Sequence, residues 1–233
     1  EKQELDTDGD GKADRWLVLD PDTGEQTRMI EDSDADGKPD NWTSFENGQR
    51  VAQEIDTDKD GKPDRHVKLS GDVPNSMRED RNHDGRDDYR AEYDAQGRVS
   101  EDWTDEDFDG VFELHVTYAS GKRSIVEHDS DGDGVPQGRT FYDPSGEVRI
   151  REERDANEDG QSEVVSFFEG GAMVRQQTDS TGDNAYDQKT FFDLQGRPAT
   201  EAIDTNADGQ PDIRKIYVAG VQTEQREDRN FDG

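Results

Sequence analysis

The chain has no cysteine, which excludes a disulfide framework and any thiolate metal site. Apolar residues are scarce. Leu, Ile, Val and Phe number 37 of 233 residues, below the ~20% under which a highly charged chain reads as disordered. Positive charge is short as well: 28 Lys and Arg face 60 Asp and Glu, for a formal net charge of −32. Such a surface repels nucleic acid and anionic membrane and attracts divalent cations. No apolar run approaches the ~20 residues of a membrane-spanning helix, so membrane insertion is not expected. Something other than a hydrophobic core must order this chain.

What is present is a repeat. The phrase Asp-x-Asp-x-Asp-Gly-x-x-Asp begins at Asp6 and returns with few changes at Asp32, Asp56, Asp80, Asp105, Asp129, Asp155, Asp179 and Asp204. A tenth copy opens at Asp228 and supplies Asn230 and Asp232 before Gly233. Successive starts are 24 to 26 residues apart, with no linker between them. Residues 1–233 therefore read as one array. The tenth, cut copy implies either a longer array or completion by a second copy of the chain, head to tail.

The second half of each unit reads as two short strands around a turn. Five residues after each loop's last ligand position stands a large apolar residue: Leu19, Phe45, Leu69, Tyr93, Tyr118, Tyr142, Phe168, Phe192 or Tyr217. Two residues earlier come mostly small or β-branched residues such as Val67, Val116, Thr140 and Thr190, and this period of two predicts strand. The large residues are the expected core. Turns are marked by Gly24, Gly48, Gly97, Gly121, Gly146, Gly171, Gly196 and Gly220, while Ser70-Gly71-Asp72-Val73-Pro74 departs from the pattern. No segment keeps a helical period. The expected fold is all-β, a solenoid-like rod of about nine calcium-clamped β-hairpins with the loops along one edge; the alternative is a closed β-propeller.

The loop chemistry points to calcium, a hard cation taking six to eight oxygens. Acids at positions one, three and five aim three carboxylates at one centre, position seven offers a backbone carbonyl, and an acid at position nine closes the sphere. By this reading the ligands are Asp6, Asp8, Asp10, Lys12 and Asp14; Asp32, Asp34, Asp36, Lys38 and Asp40; Asp56, Asp58, Asp60, Lys62 and Asp64. They continue with Asp80, Asn82, Asp84, Arg86 and Asp88; Asp105, Asp107, Asp109, Val111 and Glu113; Asp129, Asp131, Asp133 and Val135. The last sets are Asp155, Asn157, Asp159, Gln161 and Glu163; Asp179, Asp183, Ala185 and Asp187; Asp204, Asn206, Asp208, Gln210 and Asp212; and the partial set Asp228, Asn230 and Asp232. Position six must turn with positive φ, and nine of ten copies have Gly there, the other having Asn184. A merely solvated acidic face would not need that glycine. Gln137 weakens the sixth loop, and Thr181 with Asn184 makes the eighth the weakest.

The first six positions resemble an EF-hand loop, but position twelve is never acidic and no helix flanks the loop, so the EF-hand proper is rejected. The nine-position form is similar to the calcium loops of thrombospondin type 3 repeats and of the integrin α-subunit propeller, which implies calcium at positions one, three, five, seven and nine. The cysteines of the former are missing here and the repeats of the latter are longer, so neither overall fold carries over. Tyr93-Asp94-Ala95-Gln96-Gly97-Arg98 and Phe192-Asp193-Leu194-Gln195-Gly196-Arg197 resemble bacterial YD-repeat hairpins.

The four histidines offer no catalytic set. His66 and His115 share a strand position with Trp16, Trp42, Arg90 and Arg139 and read as packing or surface; His83 sits at a non-ligand loop position and His128 just precedes a loop. No clustered, non-repeating polar residues point to an enzyme. The expectation is a structural protein of the cell surface or extracellular matrix, a stalk or filament subunit, where calcium is millimolar. An adhesin that recognises a glycan or protein through its Trp-bearing faces is the alternative.

Overall fold

The computed structural model describes residues 1–229, and Asn230 and Asp232 of the tenth loop lie outside the described residues. The chain divides into two compact units, Glu1–Phe112 and Glu113–Gly233. The first holds β1 (Lys2–Leu5), β2 (Arg15–Leu19), β3 (Gln26–Glu31), β4 (Asn41–Glu46), β5 (Gln49–Ile55), β6 (Arg65–Ser70), β7 (Val73–Glu79), β8 (Tyr89–Tyr93) and β9 (Val99–Thr104). The second holds β10 (Leu114–Ala119), β11 (Lys122–His128), β12 (Gly138–Tyr142), β13 (Arg149–Arg154), β14 (Val164–Glu169), β15 (Ala172–Thr178), β16 (Gln188–Phe192), β17 (Pro198–Ile203), β18 (Ile213–Val218) and β19 (Val221–Glu227). No helix occurs among the described residues.

Within each unit every strand pairs antiparallel with the next one in sequence. The result is an open all-β meander of hairpins, and the closed propeller is excluded because its blades would have to curl round a channel. Acidic loops join odd to even strands and short turns join even to odd strands. All the loops of a unit therefore project from the same end of its strands. Each of the first four loops is closed by two backbone bonds: in the third, Asp64 N–H donates to Ile55 C=O at 3.0 Å and Asp80 N–H to Asp64 C=O at 2.9 Å. The second bond ties consecutive loops together, and its equivalent recurs from Asp32 to Asp228.

The turns fall into two chemical classes. Asn47-Gly48, Ser120-Gly121, Gly170-Gly171 and Ala219-Gly220 have positive φ at both central residues, the type I′ signature that matches strand twist. The departing segment at Ser70 proves to be a two-residue turn too, with Ser70 paired to Val73 and Gly71 at φ 67. The longer turns start at Asp20, Asp94, Asp143 and Asp193, whose carboxylates accept backbone N–H groups inside the turn. Arg98 holds the Asp94 carboxyl below the ordinary range, through its guanidinium and then its backbone N–H.

Every turn-side hairpin carries a β-bulge immediately before its large apolar residue, as between Thr117 and Tyr118 or Phe141 and Tyr142. The partner strand holds one extra residue there, which reverses its facing and in three hairpins sets an arginine, Arg50, Arg123 or Arg149, opposite the large residue. Thus Arg123 stacks over Tyr142 at 4.1 Å and Arg149 over Phe168 at 4.0 Å. On the opposite face Phe141, Arg151, Phe167, Arg175 and Phe191 stand in direct cross-strand register. Arg151 lies 3.9 Å over Phe141, and Arg175 the same distance over Phe167. Such pairs give ~0.5–1 kcal/mol each at exposed sites.

The large repeat residues do not form the expected core. Only Phe168 of that set is buried, and Ala91, Val116, Val126 and Val165 complete the buried apolar residues among those described. An open sheet leaves the other large residues half-exposed, and arginines lie over Tyr142 and Phe168. Ten loop acids, by contrast, are buried, Asp88 to 1% exposure. The interior of this protein is largely carboxylate.

Candidate metal centre

The third loop shows how the chain shapes each site. The Asp56 carboxylate accepts the N–H of Lys59 at 2.7 Å on one oxygen and that of Gly61 at 2.7 Å on the other. Asp58 Oδ1 accepts the Asp60 N–H at 3.0 Å, and Asp60 Oδ1 the Lys62 N–H at 2.8 Å. Each acid at positions one, three and five therefore folds the backbone two to five residues ahead of it. The curl brings the carboxylates of Asp56, Asp58 and Asp60 within 4.8 Å of one another. The same gathering occurs for Asp6, Asp8 and Asp10, for Asp32, Asp34 and Asp36, and for Asp105, Asp107 and Asp109. Like charges within 4.8 Å repel by roughly 1–3 kcal/mol per pair at an effective dielectric of ~20–80. A hard cation among them reverses the sign of that term. These groups could hold a metal ion.

Two positions matter that the sequence pattern passed over. Position four has positive φ in all nine complete loops, six times without glycine: Ala35, Lys59, His83, Phe108, Glu158 and Ala207, at φ 59 to 68. The position-one carboxylate accepts this residue's N–H in the first, third, fifth, seventh and eighth loops, and the sixth, which offsets the strain. Position two then holds position nine. Thr57 donates its N–H to Asp64 Oδ2 at 2.8 Å and its hydroxyl to Oδ1 at 2.7 Å. Thr7, Ser33, Ser180 and Thr205 do the same for Asp14, Asp40, Asp187 and Asp212. The Thr7 hydroxyl is the first cause holding the Asp14 carboxyl below its ordinary range; desolvation opposes it, and the N–H groups of Thr7 and Asp8 assist. The Ser/Thr recurrence at position two was the available signal.

Thr57→Val is expected to lower the local opening free energy of the third loop by about 1 kcal/mol. Thr57→Ser is expected to match the parent, because Ser33 and Ser180 fill the same role. Hydrogen exchange of the Asp64 amide reads both; equal protection in Thr57→Val would remove the hydroxyl from the account.

The weaker loops keep the shape and lose charge. Asn82, Asn157 and Asn206 accept the position-five N–H at 2.9 Å as an aspartate would. Gln137 Oε1 takes the Ser130 N–H at 2.7 Å, while its amide donates to Asp131 at 3.1 Å and covers part of that charge. In the eighth loop Thr181 turns back on Asp179, its hydroxyl 3.3 Å from Oδ1, and Asn184 takes the left-handed position at φ 68. Burial raises the Asp179 carboxyl, but the N–H groups of Gly182, Asn184 and Thr181 outweigh it and the net shift is downward. Glu113, the fifth loop's ninth position, is the first residue of the second unit.

Neighbouring loops also touch through position four. Lys59 of the third loop pairs with Asp34 of the second, which holds Asp34 low and Lys59 high. His83 of the fourth loop reaches the third in the same way, its Nδ1 3.6 Å from both Asp58 Oδ2 and Asp64 Oδ2. Of the other histidines, His115 Nδ1 lies 2.9 Å from Glu127, which Arg139 also binds at 2.7 Å, a packing role on the sheet face.

No family model matches the chain, and no curated protein matches it. Among solved structures it is similar to an S. aureus TarM mutant, with TM-score 0.27 and 13% identity over 53% of this chain and 21% of that one. A TcdB2-TccC3 structure gives TM-score 0.24 and 12% identity over 90% of this chain and 12% of that one. A porin-like protein from Bacteroides uniformis gives TM-score 0.19 and 10% identity over 96% and 91%. Likenesses this low assign neither fold nor function, and what the chain itself displays is a tandem array of β-hairpins with recurrent aspartate clusters fit to bind metal.

Proposed function

We propose that this chain is a calcium-stabilised structural array of the cell surface or extracellular matrix, a stalk or filament subunit, with one structural calcium per complete loop. The observation that supports it is the pairing of gathered carboxylate triads with an interior that, among the described residues, buries only five apolar side chains. Oxygen-only ligand sets favour a hard cation over the softer transition ions. Millimolar extracellular calcium would keep such loops filled, whereas cytosolic levels would leave weak ones empty. Nine bound ions would bring the net charge from −32 to about −14 and relieve the self-repulsion of the array.

An adhesin is the second reading, and one feature favours it. Phe141, Phe167 and Phe191 recur on every second strand of one open face, with Phe191 46% exposed. Strand spacing sets them ~9.6 Å apart, a regular platform for rings or apolar side chains of a partner. Electron microscopy with sedimentation, at millimolar calcium and in chelator, separates the readings. Calcium-dependent rods or fibres are the expected result. Compact particles unchanged by chelator would overturn the structural proposal.

A further inference from the structure

His83 of the fourth loop faces Asp58, a member of the third loop's triad, and Asp64, that loop's ninth position. We propose that they form a second class of metal site, which takes a zinc-like transition ion between the third and fourth loops. His83 stands at position four of its loop, and the loop's left-handed backbone there, φ 60, swings the ring over the preceding loop. Its Nδ1 lies 3.6 Å from one oxygen each of Asp58 and Asp64. That is beyond hydrogen-bond reach, yet it is the edge of a tetrahedron whose metal–ligand legs are ~2.2 Å, the upper end of the zinc–oxygen range. The three ligand atoms lie within 4.8 Å of one another. They line a hollow of about 250 Å³, which leaves room for water as the fourth ligand.

The neighbouring Lys59 shows what a plain ion pair looks like at this position, since its ammonium sits directly on Asp34 alone. His83 instead stands equidistant from two carboxylates that come from different ends of one loop. Both acids are already oriented. Asp58 commits Oδ1 to the Asp60 N–H, and Asp64 is clamped by Thr57, so Oδ2 of each is positioned before any ion arrives. An imidazole nitrogen selects zinc, cobalt or nickel over calcium, and the fourth loop is the only one with histidine at this position. The site shares Asp58 and Asp64 with the third loop's proposed calcium set, so a zinc-like ion competes with that one calcium and leaves the other loops filled.

Isothermal titration of the full chain with zinc chloride in excess calcium tests it, together with the visible spectrum of the cobalt-loaded chain. The expected result is one tight zinc site per chain and a tetrahedral cobalt spectrum. His83→Gly, which relieves the left-handed backbone, should weaken that site by more than about 100-fold, since loss of an outer-shell partner alone costs 10–100-fold. His66→Gln and His128→Gln should leave it intact, and circular dichroism in calcium checks that each variant is folded. Zinc binding equal in His83→Gly and parent would overturn the proposal. So would loss of the site in His66→Gln, or a parent that shows no tight site.

Discussion

Stripping calcium from the chain is expected to abolish most of its β-structure, and restoring calcium to bring it back. Folding has to order every backbone residue at ~1–2 kcal/mol each, while only five apolar side chains among the described residues are buried. The loops add a penalty of their own, because their folded form presses three carboxylates together. Backbone N–H groups on each acid soften that repulsion without neutralising it. An ion at a concentration of 100 Kd contributes about 2.7 kcal/mol per site through linkage alone, repeated along the array. Far-UV circular dichroism in chelator and then in calcium is the measurement, with elemental analysis to confirm removal of metal. A full β-spectrum in the metal-free chain would show that the cation–π ladders and backbone bonds suffice.

The second large effect is a local one. Gly61 has φ +97, and a Cβ placed there meets nothing within 4 Å. Gly61→Val therefore suffers no clash; its whole cost is conformational, above the ~1–2 kcal/mol of an ordinary left-handed residue because the side chain is β-branched. Relief of that strain would move the Gly61 N–H off Asp56 Oδ2 and disperse the triad. The expected outcome is loss of one calcium per chain and loss of exchange protection in β5 and β6, with β11 to β19 unaffected, since a repeat leans chiefly on its neighbours. Gly61→Asn should be far milder, because Asn184 occupies the equivalent position at φ 68. Protection lost evenly over all strands would mean that the array unfolds as one cooperative body.

Much of this architecture was legible in residues close together in the chain. Asp56, Asp58, Asp60 and Gly61 act on one another within six positions, so their spacing alone implied a curled loop with converging carboxylates. The hairpin phrases at Tyr93 and Phe192 were equally local: Asp94 and Asp193 each bind an arginine four residues on. Thr57 was passed over although its partner is only seven residues away, because a hydroxyl between two acids reads as a filler until Asp64 is seen to need a donor. The left-handed Lys59 and His83 were passed over because neither is a glycine and position four holds a different residue type in most copies; the N–H accepted by Asp56 makes Lys59 tolerable there.

The sequence by itself determined the repeat, the all-β class, the position of the nine complete loops, and the gathering of their carboxylates. Those properties depend on side chains bonding to backbone a few residues away, which any copy of the motif reproduces. Only the tertiary structure decided what happens between units: the bulges that turn Arg123 and Arg149 onto aromatic faces, the exposure of rings expected to be core, and the placing of His83 over Asp58 and Asp64. These depend on cross-strand register, in which a shift of one residue exchanges the two faces of a strand. Residues 19 to 25 apart, as His83 is from Asp64 and Asp58, meet only when the hairpins are laid side by side.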